Sequence, residues 1–311
     1  MTRGGRRRYE EIDGLLLLNK PPGMTSNRAL QTVRRLLNAK KAGHTGSLDP
    51  SATGMLPLCF GEATKVCAFL LDADKTYRVT ARLGTATNTG DADASETIAT
   101  ADVPELSFDE WNDILQGFLG ESMQIPPMYS ALRKDGRRLY ELARKGETIE
   151  REPRPIRIDR ISLLEAVGSR LVFRVSCSKG TYIRALVEDI ARAAGTVGHT
   201  WRLHRETVGD FESGDMVDLA VLEAQAEDDR AGLIAGLLPP DTALAGMPEV
   251  KLAAADATRF SGGQALPAAA IGQAALVRVY VAGGAFLGVG ELSTDGMLAP
   301  RRVFNAGEKT P

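Results

Sequence analysis

An acidic residue in an unusual run of amino acids is the first feature of this sequence that could do chemistry. The segment from Gly43 to Pro57 contains three glycines, two prolines and four hydroxyl residues, and it presents one acid, Asp49, near His44. This composition predicts a shaped loop instead of a regular helix or strand. Pro50 biases Asp49 toward an extended backbone that holds the carboxylate outward. Such a carboxylate can act as a nucleophile or a base, although an isolated Asp-Pro pair is also typical of a surface turn that the Asp caps.

The run from His44 to Pro57 resembles the signature of the bacterial tRNA pseudouridine-55 synthases of the TruB type. In that family the Asp of the Gly-Ser/Thr-Leu-Asp-Pro segment is catalytic, and Asp49 occupies the matching position here. The resemblance covers most of the chain, because further family motifs occur in the family's order at Lys20–Gly23, Lys75–Tyr77, Ile125–Ala131 and Ser178–Arg184.

The resemblance also implies roles for other residues. Tyr77 would lie against the target base, and Arg184 would pair with Asp49. Substrate contacts are implied for Lys20, His44, Tyr182 and Leu203. The usual Leu-Arg-Arg motif appears here as Leu203-His204-Arg205, so no role is carried over to its middle position.

The implied reaction converts the uridine at position 55, in the T-loop of tRNA, into pseudouridine. The N1 to C1′ bond breaks, the base rotates and its C5 joins C1′. Because no atom is gained, no cofactor is expected. Asp49 has two routes, attack on C1′ or abstraction of the 2′ proton, and the sequence leaves both open. The target base is stacked in folded RNA, so it must be flipped into the site, where Tyr77 would offer a stacking surface.

Two other classes of function compete with this one. A tRNA-binding or tRNA-folding protein without catalysis would need only basic surfaces, and the combination of Asp49, Tyr77 and Arg184 argues against it. An aspartate-dependent glycosidase would usually need two acids that flank the bond, and the sequence indicates no second one.

Hydrophobic patterns predict the elements that position these residues. Leu15–Leu18 form a short buried strand, and Ser26 is placed to cap the helix that follows it. Residues 76–83 alternate as a strand with Tyr77 on its apolar face. Two further strands are predicted over residues 156–164 and 171–177.

A helix is predicted to begin at about Ile183 and to end at Gly195. Arg184 would then lie in its first turn, where the helix dipole favours acids. This position suggests that Arg184 has a specific anionic partner, and a guanidinium would fix the geometry of a carboxylate.

A basic segment lies between Arg133 and Arg157, with nine basic and five acidic residues. A short amphipathic helix at residues 139–143 carries arginines around it, a form suited to phosphate contacts. By resemblance the segment at about 123–155 is an insertion that grips the RNA stem-loop through Arg137, Arg138 and Arg144. A solvated charged helix is the alternative.

The predicted fold class is α+β, with a mixed, largely antiparallel central sheet flanked by helices. A catalytic domain is predicted over residues 1–245. A small β-rich domain at 246–311, with alternating strands around Gly283-Gly284, resembles the RNA-binding PUA module. Arg3, Arg6, Arg7 and Arg8 predict a mobile basic arm at the N-terminus, with a merely solubilising tail as the alternative.

Composition limits the remaining possibilities. The formal net charge of the 311 residues is −2, so RNA affinity must come from local basic clusters. Three cysteines and three histidines show no metal-ligand spacing, and Asp91, Asp93 and Glu96 lack the pattern of a calcium loop. The odd cysteine count and the absence of an apolar leader favour the cytoplasm. We expect no metal, no membrane contact and no obligate protein partner, with the T-arm of tRNA as the partner.

Overall fold

The computed structural model describes residues 9–134, 136–269 and 273–304. The predicted basic arm at residues 3–8 lies outside the described residues. No described helix has the length and apolar character needed to cross a membrane.

The strands, numbered in chain order, are β1 (Gly14–Lys20), β2 (Ala42–His44), β3 (Thr53–Phe60), β4 (Lys75–Leu83), β5 (Thr85–Thr87), β6 (Thr97–Thr100), β7 (Gly120–Gln124), β8 (Arg133–Lys134), β9 (Arg137–Arg138), β10 (Arg154–Val167), β11 (Arg170–Cys177), β12 (Gly198–Val208), β13 (Val217–Asp218), β14 (Glu249–Leu252), β15 (Leu266–Pro267), β16 (Ala275–Val281), β17 (Phe286–Leu292) and β18 (Met297–Val303). The α-helices are α1 (Ser26–Leu36), α2 (Cys67–Asp72), α3 (Phe108–Gln116), α4 (Leu139–Ala143), α5 (Ile183–Ala193), α6 (Leu219–Asp228), α7 (Arg230–Ala235) and α8 (Ala254–Ser261).

A nine-stranded sheet organises the larger part of the described chain. Its order is β13-β1-β3-β12-β4-β11-β10-β7, and β2 pairs with β3 beside this path. The β1–β13 and β3–β12 pairs are parallel and the other pairs are antiparallel. The predicted mixed, largely antiparallel sheet is therefore confirmed.

Helices cover the apolar faces of the sheet. The strand β1 contains four consecutive leucines and is buried almost throughout, as expected for a strand covered on two sides. Helices α1, α6 and α7 pack on one face of β1 and β3. Further along the sheet, α3 and α5 pack on the apolar face of β4, β10 and β11.

Capping at the start of α1 differs from the prediction by one residue. The Thr25 side chain accepts a hydrogen bond from the Arg28 amide and caps the helix, whereas Ser26 is the first helical residue and is buried. A hydroxyl residue stands at both positions, and the tertiary contact of Ser26 described below decides which of them caps the helix. A capping box formed by Ser107 and Glu110 begins α3.

A second, five-stranded sheet occupies the C-terminal part of the chain, with the order β14-β16-β17-β18-β15 and with α8 packed on it. It is not isolated from the first sheet. Val289 and Phe304 share one apolar cluster with Leu15, Met55 and Val66 from the larger unit. The predicted small C-terminal β-rich unit is confirmed.

Candidate active site

The Asp49 loop is shorter than the sequence predicts. Only residues 45–52 connect the strands β2 and β3, while Gly43 and His44 lie in β2 and residues 53–57 lie inside the central sheet. Gly54 explains why the predicted loop was too long. Its φ is +98°, and a Cβ at this position would overlap with the backbone of Arg205 in the neighbouring strand. Glycine within a strand here marks a close approach of two backbones and not a turn.

The structure brings Asp49 and Arg184 together. The Nε of Arg184 lies 2.9 Å from Oδ2 of Asp49, and the two side chains are 7% and 38% exposed. The guanidinium also donates to the Thr89 carbonyl at 2.6 Å and to the Tyr129 carbonyl at 2.6 Å. Both terminal nitrogens of the guanidinium thus bind backbone carbonyls. Its Nε binds the carboxylate of Asp49, which remains partly exposed to solvent.

Lys20 lies beneath the loop and does not face the solvent. Its ammonium is fully buried and donates to the carbonyls of Pro21 at 2.9 Å, Met24 at 2.8 Å and Pro50 at 3.2 Å. Burial lowers the pKa of Lys20 to about 8, and the charge of Asp49 opposes this change. The predicted contact between Lys20 and substrate does not fit this geometry, because three backbone acceptors already occupy the ammonium.

Two hydroxyl groups, neither predicted from the sequence to do so, fix the loop on either side of Asp49. Ser26 Oγ donates to the Leu48 carbonyl at 3.0 Å and accepts from the Leu48 amide at 2.8 Å. Ser51 Oγ donates to the carboxylate of Asp91 at 2.9 Å. The residues before and after Asp49–Pro50 are therefore anchored to different parts of the chain.

Arg205 is a further residue that the sequence analysis did not select. Its side chain is 1% exposed and donates to the carbonyls of Met55 at 2.7 Å and Gly46 at 3.1 Å. It lies opposite Tyr77 across the β12–β4 pair. The sequence feature that could have identified Arg205 was its position as the last residue of the Leu203-His204-Arg205 motif.

Tyr77 is buried on the apolar face of β4, as the alternation predicted. It belongs to the same cluster as Leu48, and Leu203 packs against that cluster. Burial raises the pKa of the Tyr77 hydroxyl, and the charge of Arg205 opposes this rise. Tyr77, Leu203 and the loop that carries Asp49 thus share one apolar environment.

His44 and Tyr182 complete the surroundings of the loop. Burial lowers the pKa of His44, and the charge of Arg205 adds to the effect, so the imidazole is neutral at pH 7. Tyr182 precedes the first turn of α5, and Gln124 fixes its backbone by donating to its carbonyl at 3.1 Å and accepting from its amide at 2.8 Å. Burial raises the pKa of the Tyr182 hydroxyl.

His204 lies on the other face of the sheet from Leu203 and Arg205, where its Nδ1 is 2.8 Å from Thr53 Oγ1. Its side chain therefore does not point toward Asp49. The sequence assigned no family role to His204, and its hydrogen bond to Thr53 lies outside the loop at residues 45–52.

The three arginines that were predicted to grip the RNA are exposed and lie outside the Asp49 loop. Arg137 and Arg138 form β9, which pairs with β8, and Arg144 follows α4. The guanidinium groups of Arg138 and Arg144 lie 5.8 and 5.4 Å from the ring centroid of Tyr140. The structure connects the start of this segment to the site through the bond from Arg184 to the Tyr129 carbonyl.

Within the described part of the chain, no three His, Cys, Asp or Glu side chains come together in a group that could hold a metal ion. The carboxylate of Asp91 instead accepts the hydrogen bond of the Ser51 hydroxyl.

Comparison with known proteins covers almost the whole chain. Residues 34–183 match the model of the TruB family pseudouridylate synthase N-terminal domain, and two TruB C-terminal models match residues 184–245 and 248–304. The tRNA pseudouridine synthase B of Dechloromonas aromatica is 50% identical over 305 residues, which covers 97% of this chain and 99% of that protein. The chain belongs to the TruB family of pseudouridylate synthases. The tRNA pseudouridine synthase B of Nitrosococcus oceani is 48% identical over 304 residues and covers 98% of each chain.

Solved structures resemble this TruB-family chain over most of its length. A chain in the structure of an H/ACA RNP bound to a substrate RNA containing 2′-deoxyuridine has a TM-score of 0.70 and 25% identity, with 94% of this chain and 84% of that chain covered. A chain in a Cbf5-Nop10-Gar1 complex has a TM-score of 0.70 and 26% identity, with coverage of 91% and 79%. The family and the fold predicted from the sequence are confirmed.

Proposed function

We propose that this TruB-family protein converts the uridine at position 55 of tRNA into pseudouridine and that Asp49 is its catalytic carboxylate. The observation that carries the proposal is the pair formed by Asp49 and Arg184, with 2.9 Å between Oδ2 and Nε. A carboxylate that is fixed on one side by a buried guanidinium and is open on the other is suited to approach a ribose.

The chemistry is an intramolecular transfer of the base from N1 to C5. Asp49 either attacks C1′, so that the N1 bond breaks, or removes the 2′ proton, and both routes begin from the ionised carboxylate. Arg184 orients this carboxylate. Lys20, Ser26 and Arg205 hold the loop in place from below and act as positioning residues, because they contact only its backbone.

The flipped base enters beside the apolar cluster that contains Tyr77 and Leu48. Extrusion from a stacked loop costs a few kcal/mol, and contact with an aromatic ring offsets part of it. We assign to the Tyr77 hydroxyl the relay of the C5 proton after the new bond forms: it accepts this proton as it releases its own to water, so the phenol stays protonated. His44 and Tyr182 are assigned to the walls of the site, and the neutral His44 is not the base.

The domain organisation belongs to the same proposal. Residues 1–245 form the catalytic domain, the insertion at 123–155 contacts the T-arm, and residues 246–311 form a PUA-like RNA-binding domain. The enzyme acts on tRNA without an obligate protein partner. The free thiols of Cys59, Cys67 and Cys177 suit a reducing cytoplasm, where we place the reaction.

The test is incubation with an unmodified tRNA transcript and no added cofactor, followed by chemical mapping of pseudouridine. We expect one product, at the T-loop uridine. Asp49→Asn should bind the transcript like the wild type but lose turnover, since an amide can neither attack C1′ nor accept the proton. Absence of product with intact protein supports a non-catalytic RNA binder, and release of free uracil supports a glycosidase. An Asp49→Asn rate within about tenfold of the wild type, or about 1.4 kcal/mol, contradicts the role of Asp49.

A further inference from the structure

The second face of the central sheet is rich in exposed arginines. Side chains alternate along β4, so Tyr77 and Val79 point into the core while Arg78 and Arg82 are exposed. The neighbouring strands continue the pattern. We define the basic sheet face by its six exposed residues, which are Arg78, Arg82, Arg170, Arg174, Trp201 and Arg202.

The register of the strands places like charges opposite each other. Arg82 lies directly opposite Arg170, and Arg78 lies directly opposite Arg174, across the β4–β11 pair. Like charges at directly opposed positions destabilise an antiparallel sheet. Two such pairs on one open face therefore do not serve stability.

Acidic side chains neutralise only part of this charge. Arg170 forms an ion pair with Glu165, and the Nε of Arg174 lies 2.7 Å from Glu206. Among the residues that the structure describes, Arg78, Arg82 and Arg202 form no ion pair. The face thus retains three positive charges that can bind an external anion.

An exposed aromatic ring lies among these charges. Trp201 is the additional residue of a bulge between Thr200 and Arg202 in β12, and it is 44% exposed. The Arg82 guanidinium lies 5.4 Å from its ring centroid. Positive charges that follow a backbone, together with an aromatic ring on which a base can stack, are the features by which proteins bind single-stranded nucleic acid.

The basic sheet face is separate from the candidate active site. Tyr77 and Arg78 are neighbours in β4, but their side chains lie on opposite faces of the sheet. The segment bound here is therefore not the one that carries the target base.

We propose that the basic sheet face is a second RNA-binding surface, which binds single-stranded RNA through its phosphates and through one base stacked on Trp201. An acidic protein would match the charge but does not account for the exposed ring beside Arg82, so RNA is the favoured occupant. The proposal goes beyond the isomerisation and does not depend on it.

Tryptophan fluorescence can measure RNA binding at the basic sheet face. The chain has two tryptophans, and Trp111 is buried at 3% exposure, so added single-stranded oligouridylate should quench mainly Trp201. We expect this quenching in the wild type and its loss in Trp201→Phe. In a variant with Arg78→Gln, Arg82→Gln and Arg202→Gln, the affinity should fall by about tenfold or more, and the slope of log affinity against log salt should decrease by about two.

A matched control variant removes three exposed basic side chains elsewhere, through Arg35→Gln, Lys179→Gln and Arg192→Gln. It should bind oligouridylate like the wild type. Thermal unfolding checks the fold of the patch variant, which we expect to be as stable as the wild type or more stable, because two opposed like-charge pairs are gone.

Glu206→Gln tests the proposal in the opposite direction. It removes the ion-pair partner of Arg174, so the affinity for oligouridylate should rise. Absence of wild-type quenching, or equal affinities of the patch and control variants, would overturn the proposal and leave the face without an RNA role. Because the titration involves no turnover, failure of the proposed isomerisation does not affect its outcome.

Discussion

Arg184 fixes Asp49 through its Nε, while both terminal nitrogens of the guanidinium bind carbonyls of distant segments. Three directed contacts from one side chain need the planar fork of arginine, which a lysine ammonium cannot reproduce. The same arginine therefore orients the carboxylate and joins the loop at Thr89 to the start of the basic insertion at Tyr129.

We expect Arg184→Lys to lower the single-turnover rate by about 100-fold or more and to change tRNA affinity only slightly, because the charge remains but the carboxylate is no longer oriented. Single-turnover kinetics and filter binding measure the two quantities. Arg192→Lys, at the exposed end of the same helix, is the control and should change neither. Equal losses of rate and affinity in Arg184→Lys, or no loss in either, would contradict the pairing role.

Lys20 predicts a pH dependence of stability. Burial lowers its pKa from 10.5 to about 8 in the folded protein. Between these values the unfolded chain holds a proton that the folded protein has released, so the free energy of unfolding rises with pH in this window. We expect the stability of the wild type relative to Lys20→Met to increase from about pH 8 to pH 10, by at most about 1.4 kcal/mol per pH unit.

Urea denaturation of both proteins at several pH values measures this difference. Lys179→Met is the control, because Lys179 is exposed, and its stability difference from the wild type should not vary in the same way. A difference for Lys20→Met that stays constant or shrinks as the pH rises would show that the ammonium is not held as the structure indicates.

At the scale of elements, the basic insertion is a short hairpin and a short helix with little buried surface. Leu139 and Leu142 are its buried apolar residues in α4, and the guanidinium groups of Arg138 and Arg144 both lie within 5.8 Å of the Tyr140 ring centroid. Contact with one ring restricts both arginines. Arginines held in this way lose less side-chain entropy when they bind phosphate.

We expect the combined substitutions Arg137→Gln, Arg138→Gln and Arg144→Gln to weaken tRNA binding and to flatten its salt dependence. Each lost phosphate contact lowers the slope of log affinity against log salt by about 0.7 to 0.9, so a total decrease of about two is expected. Binding titrations at several salt concentrations measure the slope. The control variant with Arg35→Gln, Lys179→Gln and Arg192→Gln removes the same charge, and an equal slope in both variants would identify the insertion as a solvated surface.

At the scale of the whole molecule, the C-terminal sheet and the central sheet share apolar contacts. Phe304 packs against Phe286 with 4.9 Å between ring centroids and belongs to the cluster that includes Leu15 and Met55 of the central sheet. Lys65, from the larger unit, donates to the Val303 carbonyl at 2.6 Å. These contacts couple the stability of the two sheets.

We expect Phe304→Ala to lower the free energy of unfolding by about 3–5 kcal/mol, as for other large core truncations, and unfolding to remain a single transition. Chemical denaturation followed by circular dichroism measures both. Phe108→Ala is the matched control, since Phe108 is 52% exposed, and it should cost less than about 1 kcal/mol. A separate early transition in the wild type would show that the C-terminal sheet unfolds independently.

Local sequence patterns were sufficient to predict the elements that carry Asp49, Tyr77 and Arg184. The alternation of β4 fixes the face of Tyr77, and the helix start at Ile183 places Arg184 in a first turn, because both depend on residues only a few positions apart. The segment around Asp49 was recognisable from composition alone. Its boundaries were predicted wrongly, because Gly54 is a site of close backbone approach and not a turn.

The sequence by itself determined the family, the fold class, the Asp49 loop and the arginine at the start of α5. Only the tertiary structure decided that Lys20 is enclosed, that Ser26 binds Leu48 and does not cap its helix, and that Arg205 holds the loop from the neighbouring strand. These contacts join residues that are 22 to 159 positions apart. Local preferences act over one or two turns of chain, whereas the burial of a charge or hydroxyl depends on which distant segments cover it.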